Sequence, residues 1–220
     1  MGVQHPWYFL TMPKQPEGKL VAKIKRMIAD RGGRCFKIHG SDEGFQEIGI
    51  PDLLVCYQGK FLGLEVKQPG AKLRPRQEIV LRQIEASGGI AAVVTSVLEA
   101  SKALDQAIPL EVAAWIGGFF DGEGSIVIYQ ERYPRVTITQ KDDEPLLWMH
   151  QTLGLGRVVY RSGETRAGNS RAPYLSIQKR EEVIRFLDLI DPHVRLHHRR
   201  LKLEAARDAL SHTQSIASSR

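Results

Sequence analysis

The segment that most constrains the fold is GIPDLLVCYQGKFLGLEVK, at residues 49–67. Two apolar runs flank its central QGK, and this pattern predicts two antiparallel strands joined by a tight turn. Asp52 nevertheless opens the first strand, and Glu65 and Lys67 close the second. Packing alone does not account for two acids and a lysine among Leu, Val and Phe, so these three residues indicate a functional site.

The position of the turn decides which of these residues face each other. A turn at Gln58-Gly59 places Asp52 opposite Glu65, whereas a turn at Gly59-Lys60 places it opposite Lys67. Both alternatives put the three side chains on one face of the sheet, because residues 65 and 67 are two apart. Facing side chains in neighbouring strands lie about 5 Å from each other.

Two carboxylates at that separation repel, and each raises the pKa of the other unless a cation lies between them. Their oxygens suit Mg²⁺ or Mn²⁺, and a lysine beside them can polarise a phosphate or help to activate a water. The arrangement predicts metal-assisted hydrolysis of a phosphodiester. The simpler alternative is that Lys67 forms an ion pair with Asp52 or Glu65 at a sheet edge.

The hairpin lies within a predicted α-β-β-β-α-β-α order of elements. A helix starts at Glu17, and its apolar residues recur at helical spacing until Gly32-Gly33. The remaining predicted elements are a strand at 34–39, a helix at 74–87, a fully apolar strand at 90–95 and a helix capped by Ser96.

This order, with PD opening one strand and E-x-K closing the next, resembles the PD-(D/E)xK nuclease superfamily. The run GIPDLLVCYQGKFLGLEVKQPGAKLRPRQ, followed by GGIAAVVTS, is similar to its VRR-NUC branch, and the resemblance covers roughly residues 17–103. It implies that Asp52 and Glu65 bind the metal and that Lys67 assists catalysis. It also implies that Glu17 is an additional metal-binding acid and that Gln77 is an active-site glutamine. The simpler alternatives are that Glu17 is only an acid favoured by the helix dipole and that Gln77 is only a solvated helix residue.

The segment DQAIPLE, at residues 105–111, contains Pro109 and has no strong periodicity, so we place a domain boundary there. We expect the first domain at 15–105 and the second at 112–211. The second half predicts the order α-β-β-α-β-β-α-α, with its first two strands at 125–132 and 135–140 around a Tyr133-Pro134 turn. The predicted fold class is therefore α/β (α+β), an αβββαβ nuclease core followed by an αββαββα domain.

The segment WIGGFFDGEGS, at residues 115–125, is the second unusual feature. Two adjacent glycines in an apolar helix cost about 1 kcal/mol each relative to alanine, and a helix tolerates them where another backbone comes close. The helix ends in Asp121 and Glu123, each followed by a glycine. The simpler interpretation is a glycine-rich helix end with surface acids.

From Val112 to about Leu210 the sequence resembles a LAGLIDADG homing endonuclease domain, with IGGFFDGEG as its signature. Two phenylalanines replace aliphatic residues of the signature, and Glu123 replaces its second Asp, which keeps a metal-binding carboxylate. The resemblance implies that the signature helix packs on that of a second copy through Gly117 and Gly118. It also implies that Glu123 is a catalytic metal ligand at the scissile phosphate.

Two later segments extend this resemblance. The run VTITQKDDEPLLWM implies that Gln140 lies near the active-site water network, and Lys179, after the fourth strand, matches the family's basic active-site residue. The closing helices carry His193, His197 and His198, for which we expect solvated or phosphate-facing roles. No Cys or acid lies at a spacing that would complete a metal site with these histidines.

Alternation along the predicted strands gives the second sheet one apolar and one polar face, with Ile126, Ile128, Val136 and Ile138 on the apolar face. Arginine can bind guanine edges or phosphates, and threonine can bind either. The polar face therefore predicts contact with double-stranded DNA, and an ordinary solvated face is the alternative. The predicted DNA-binding residues are Tyr129, Arg135, Thr137, Thr139, Arg157, Arg161, Tyr174 and Ser176.

Composition is compatible with these interpretations. The chain of 220 residues has a formal net charge of +6 and a sequence pI near 9.4, which suits a polyanionic partner. No stretch approaches 18 apolar residues and the first residues lack a continuous apolar core, so we expect neither a membrane span nor a signal peptide. Cys35 and Cys56 are expected to be buried free thiols in a reducing compartment. These features favour a cytoplasmic protein that is not secreted, associated with the nucleoid or encoded by a phage or mobile element.

Together the patterns predict a divalent-metal-dependent endodeoxyribonuclease, similar to homing endonucleases, that cleaves a specific double-stranded DNA site with Mg²⁺ or Mn²⁺. Since the chain has one LAGLIDADG signature, we expect a homodimer through the signature helix and a near-palindromic target. Two alternatives remain open. One is a structure-selective nuclease of the Holliday junction or flap type, with the second domain as a DNA anchor. The other is a non-catalytic RNA splicing cofactor or DNA-binding regulator.

Overall fold

The computed structural model describes residues 16–38, 47–160 and 172–217, with side chains at 18–38, 47–160 and 172–211. Within these ranges the chain forms two four-stranded sheets, each packed against helices. The predicted mixed α/β class and both predicted element orders are confirmed. None of the described helices is long and apolar enough to cross a membrane.

The first sheet has the strand order β1-β2-β3-β4. Strands β1, β2 and β3 are antiparallel, whereas β4 runs parallel to β3 after a helical crossover. Residues 62–66 of β3 are all buried, as expected for a central strand that is covered on both faces. The elements are α1 Pro16–Asp30, β1 Arg34–Lys37, β2 Leu53–Tyr57, β3 Lys60–Val66, α2 Pro75–Ala86, β4 Ile90–Val94 and α3 Val97–Asp105.

The hairpin of β2 and β3 turns at Gln58 and Gly59, whose φ angles are 49° and 71°. Positive φ at both central residues matches the twist of a two-residue hairpin. The register pairs Leu53 with Leu64, and it therefore places Asp52 opposite Glu65. The first of the two predicted turn positions is the correct one.

The second sheet has the strand order β5-β6-β8-β7, and all its pairs are antiparallel. Its apolar face is buried under α4, α6 and α7, where Ile126, Val136 and Ile138 are at most 3% exposed. The elements are α4 Leu110–Glu123, β5 Gly124–Tyr129, β6 Tyr133–Thr139, α5 Glu144–Leu153, β7 Arg157–Val159, β8 Tyr174–Ile177, α6 Arg180–Ile190, a 3-10 helix at Asp191–His193 and α7 His197–Ala217.

The predicted turn of the second hairpin is wrong. The chain turns at Gln130 and Glu131, which both have positive φ, whereas Tyr133 and Pro134 already pair with β5. At Pro134, β6 has only β5 as a paired neighbour, because β8 pairs with residues 136–139. A proline is tolerated at such an edge position, since no second strand needs its missing N–H.

The burial predicted for the two cysteines is also wrong. Cys56 is exposed and Cys35 is partly exposed. Leu53, Val55 and Tyr57 form the core face of β2, so the alternation of the strand turns the Cys56 side chain to the opposite face.

Candidate nuclease sites

Glu65 is the best-defined acid of the first candidate site. Its side chain is only 1% exposed, although carboxylates are rarely buried without partners. Its Oε1 atom lies 2.6 Å from Lys67 Nζ and accepts a hydrogen bond of 2.5 Å from Gln77 Nε2. Its Oε2 atom is buried and has no hydrogen-bond partner among the described residues. An unpaired buried oxygen is costly, so Oε2 fits a cation that binds at this position.

The electrostatics of Glu65 lead to the same inference. Burial raises the pKa of Glu65, the hydrogen bond from Lys67 lowers it, and the charge of Asp52 raises it again. Asp52 is held in place by the Val66 N–H, which donates a hydrogen bond of 2.9 Å to its Oδ2 atom. The structure therefore brings Asp52, Glu65 and Lys67 together, and a divalent cation between the acids would reduce both the repulsion and the cost of burial.

Gln77 lies in the first turn of α2, and both ends of its amide are used. Its Oε1 atom accepts a hydrogen bond of 3.0 Å from the Arg74 N–H, which turns the Nε2 group toward Glu65. Glu17 lies in the first turn of α1, but its side chain is outside the described ones. Among the side chains that are described, no group of three or more His, Cys, Asp and Glu residues is placed to hold a metal, so the acids of this site form a pair.

The end of α4 forms the second candidate site. Glu123 is exposed at the last position of the helix. Asp121 is 8% exposed, and its Oδ2 atom accepts hydrogen bonds from the N–H groups of Arg195 and Leu196, at 2.6 and 3.3 Å. Asp121 thus ties the chain before α7 to the end of α4, a structural role that leaves Glu123 as the accessible carboxylate.

The contact of Asp121 with the chain before α7 also brings a basic segment close to Glu123. The sequence analysis gave this segment little weight. Arg199 Nε donates a hydrogen bond of 3.2 Å to the Asp121 carbonyl, and Arg195 and Arg200 are exposed nearby in the chain. The signal for this segment was the run RLHHRRLK at residues 195–202, in which six of eight residues are basic or histidine. Such a cluster suits the phosphates of a nucleic acid.

Gln140 lies at the same end of the sheet as Glu123, whereas the structure does not bring Lys179 there. The role of Lys179 in the active site stays a prediction. The register pairs Gly124 with Ile138, and the Gln140 N–H donates to the Pro173 carbonyl just before β8. Lys179 follows the far end of β8, roughly 15 Å away along the strand. Because β8 runs antiparallel to β6, its end lies beside the start of β6. Lys179 is exposed there and its Nζ atom lies 2.8 Å from Glu182 Oε1.

The two signature glycines have different surroundings. A Cβ atom on Gly118 would have no atom within 4 Å, whereas one on Gly117 would lie 2.5 Å from His193 Cβ. The structure thus corrects the expectation that both glycines face a second copy, because Gly117 packs within its own chain. Three exposed small residues of α4, Ala114, Gly118 and Gly122, are spaced four residues apart and lie on one side of the helix. The helix also exposes Trp115.

The polar face of the second sheet exists as a continuous surface. One row of paired residues contains Ser125, Thr137, Ser176 and Arg157, and the next contains Thr139 and Tyr174. Tyr129 and Arg135 lie further along the same face, and the guanidinium of Arg135 lies 4.7 Å from the centre of the Tyr129 ring.

Ser176 is 2% exposed, and its hydroxyl accepts a hydrogen bond of 2.8 Å from Gln178 Nε2. Its contact with DNA stays a prediction, because this buried hydroxyl already has a partner within the protein. Arg161 lies outside the described residues.

Comparison with known proteins gives a match for each half of the chain. Residues 14–98 match the VRR-NUC domain model, and residues 110–191 match the model of the LAGLIDADG-like domain. A solved VRR_NUC domain is 30% identical over 40% of this chain and 94% of its own, with a TM-score of 0.35. The homing endonuclease I-TnaI is 19% identical over 47% of this chain and 74% of its own, with a TM-score of 0.38. The LAGLIDADG meganuclease I-AabMI, solved bound to uncleaved DNA, is 19% identical over 49% of this chain and 39% of its own, with a TM-score of 0.39. A search of curated proteins found no match.

Both halves therefore fall in nuclease-type domain classes. The N-terminal half resembles the VRR-NUC branch of nucleases, and the C-terminal half resembles a single-motif LAGLIDADG homing endonuclease.

Proposed function

We propose that this protein is a divalent-metal-dependent DNA endonuclease that hydrolyses phosphodiester bonds at a specific double-stranded site. The observation that carries the proposal is the buried Glu65 carboxylate, which has a lysine and an amide on one oxygen and no described partner on the other. Asp121 Oδ1 is also buried without a described partner, so an unpaired oxygen alone does not define a metal site. Glu65 in addition faces the charge of Asp52 and has Lys67 beside it, and this combination suits a metal ligand.

Asp52 and Glu65 are the residues that would hold Mg²⁺ or Mn²⁺, with Glu17 as a third acid proposed from the resemblance. When bound, such a cation supplies charge stabilisation for a phosphoryl group that undergoes hydrolysis. Lys67 holds one Glu65 oxygen and adds positive charge beside the phosphate. Gln77 fixes the rotation of the carboxylate, because its own amide is anchored on the backbone of Arg74.

The second site requires another copy of the chain. In a single chain Glu123 is exposed at the end of α4, and we propose that two α4 helices pack through the strip that contains Gly118. The two Glu123 carboxylates would then lie near each other at the centre of the bound DNA, and each copy would act on one strand. The symmetry of such a dimer gives a near-palindromic target.

The polar face of the second sheet is the proposed surface for double-stranded DNA. Arg135, Thr137, Thr139 and Arg157 lie on this face in rows that continue across the strands. Arg195 and its basic neighbours extend it beside Glu123, where they suit phosphate contacts.

One observation favours a second candidate, a structure-selective nuclease in which the C-terminal half only anchors DNA. The first site is assembled within one chain, whereas the pairing of two Glu123 carboxylates needs a second copy. This candidate predicts that cleavage depends on DNA branches or flaps and not on a sequence.

Cleavage of a randomised DNA library distinguishes the two. The purified chain is incubated with the library in Mg²⁺ and the new ends are sequenced. The proposal predicts enrichment of one near-palindromic sequence around the ends. Ends that map only to branches or flaps, without a shared sequence, would replace it with the second candidate.

A further inference from the structure

The two halves of the chain meet at a buried polar contact, which we call the junction and define as Arg31, Tyr57, Asp105, Thr152 and Arg185. Arg31 follows α1 in the first half and is only 2% exposed. A buried guanidinium is stable only when its charge and its N–H groups have partners. Arg31 has partners in both halves.

The hydrogen bonds of Arg31 cross from one half to the other. Its Nη1 atom donates to both the carbonyl and the hydroxyl of Ser101, each at 3.1 Å. Its Nε and Nη2 atoms donate to the Thr152 carbonyl at 3.2 and 3.1 Å. The hydroxyl of Tyr57 donates to the same carbonyl. The last turn of α5 is therefore bound by two side chains of the first half.

Asp105 supplies the opposite charge for two arginines. Its Oδ1 atom lies 2.9 Å from Arg31 Nη2. Arg185 of α6 binds both of its oxygens, with Nε at 2.6 Å from Oδ2 and Nη2 at 2.7 Å from Oδ1. Such two-point contacts fix orientation as well as distance. Arg185 also donates to the Leu153 carbonyl at 3.1 Å, so both arginines bind the C-terminal end of α5, where the helix dipole favours positive charge.

Gly154 shows that the end of α5 leaves room for Arg31. It has a φ of 60°, and a Cβ atom there would lie 2.9 Å from Arg31 Cδ. The connection between the halves is also short, because α3 ends at Asp105 and α4 begins at Leu110. These features distinguish the junction from two domains joined by a loose linker.

We propose that the junction holds the two nuclease-type halves in one fixed orientation, so that both candidate sites act on one DNA molecule at a fixed spacing. The part that concerns DNA rests on the proposed function. The chain path from Asp52 along β2 to Tyr57, across the junction, back along α5 to Gln140 and across to Glu123 spans roughly 65 Å. At 3.4 Å per base pair, the two sites lie at most about 19 base pairs apart along a duplex. Each cut adds one water across one P–O bond and gives a phosphate end and a hydroxyl end.

Calorimetric unfolding tests the junction without DNA. The intact chain should unfold in one transition, and Asp105→Ala should give two, because it leaves two buried guanidinium groups without their shared counter-charge. Asp188→Ala is the matched control, since Asp188 pairs with Arg207 on the surface of the second half, and it should keep one transition. Two independent transitions in the unaltered chain, or a single transition at an unchanged midpoint in Asp105→Ala, would overturn the proposal.

If Asp105→Ala does not fold, hydrogen exchange on the unaltered chain tests whether the junction is rigid. Peptides that cover Arg31 and Thr152 should exchange as slowly as those of the central strands β3 and β6. Exchange as fast as that of an exposed turn such as Gln130-Glu131 would overturn the proposal.

Mapping the DNA ends left by cleavage tests the spacing between the two candidate sites. Glu123→Gln leaves only the first site to cut, and its ends should fall at one offset within about 19 base pairs of the bound sequence. Adding Asp105→Ala should spread these ends over several offsets. Scattered ends in Glu123→Gln alone would contradict a fixed spacing. If no variant cuts DNA, the proposed function fails, and unfolding and exchange still decide whether the junction is rigid.

Discussion

Glu65 lies near the end of β3 and Lys67 directly follows that strand, and their charged groups lie 2.6 Å from each other. Residues i and i+2 of a strand share a face, so one stretch of backbone supplies both the buried acid and its counter-charge. Because Lys67 contacts only Oε1, the carboxylate is held in place while Oε2 has no described hydrogen-bond partner. This relationship makes the first site testable residue by residue.

Lys67→Met should reduce DNA cleavage by roughly 10–100-fold, in the range of losses when a partner of a metal ligand is removed. The change keeps the length of the side chain and removes its charge and its hydrogen bond to Glu65. Initial rates on a plasmid measure the loss. Lys72→Met, at an exposed lysine in the loop before α2, is the control and should cleave normally. Equal rates for both variants would exclude a role for Lys67.

Glu65→Gln should abolish the stabilisation of the fold by Mg²⁺. Binding to the native state alone adds about 2.7 kcal/mol to the free energy of unfolding at a ligand concentration of 100 Kd, and an amide is a poor ligand for this ion. Unfolding is followed by calorimetry with and without Mg²⁺. Without metal, Glu65→Gln should be at least as stable as the unaltered chain, since it removes a buried charge whose pKa burial has raised. Glu85→Gln, at an exposed acid of α2, should retain the metal effect. A metal effect that survives in Glu65→Gln would contradict the site.

Gly117→Ala should lower the free energy of unfolding and Gly118→Ala should raise it, although the residues are adjacent. At Gly117 the added methyl group would lie 2.5 Å from His193 Cβ, and overpacking of this kind costs typically 1–3 kcal/mol. At Gly118 the space is open, so alanine should stabilise the helix by up to about 1 kcal/mol. Denaturant titration of both variants measures these changes.

Gly118→Leu should fold normally and weaken self-association, because a large side chain keeps two α4 helices apart. Sedimentation over a range of protein concentrations measures the association. A dimer of unchanged strength in Gly118→Leu would show that α4 does not form the contact.

Arg135→Ala should weaken binding to the preferred DNA sequence more than binding to unrelated DNA. Its guanidinium stacks on Tyr129 on the open face of the sheet, and one good arginine–base contact contributes roughly 1–3 kcal/mol of discrimination. Ser176→Ala is the control on the same face and should bind like the unaltered chain, since its hydroxyl is buried against Gln178. Competition binding with both DNAs provides the measurement.

The sequence predicted those parts that depend on local periodicity. The alternation of β5 and β6 identified the polar face, and the index sum of the hairpin limited the partners of Asp52 to two. Both follow from the geometry of one element or of adjacent elements. Gln77 was implied only by the resemblance to the VRR-NUC branch, and the structure contains its hydrogen bond to Glu65.

Features that depend on distant elements were missed. Lys179 followed the correct strand, but only the register of β6 and β8 shows that the strand ends far from Glu123. Arg31 follows a helix in the manner of a surface residue, and its partners Thr152 and Asp105 are 121 and 74 residues away. Gly117 faces a 3-10 helix that lies 74 residues later in the chain, which no local pattern indicates.

Cleavage of supercoiled DNA with and without Mg²⁺ tests whether these two sites hydrolyse DNA with a metal. We predict nicked and linear products in Mg²⁺, none when EDTA removes the metal, and none from the double variant Glu65→Gln/Glu123→Gln. Of the single variants, Glu65→Gln should lose the cuts of the first site, and Glu123→Gln should lose the double-strand break at the bound sequence. Cleavage that continues in EDTA, or at an unchanged rate in the double variant, would contradict metal-dependent hydrolysis at these two sites.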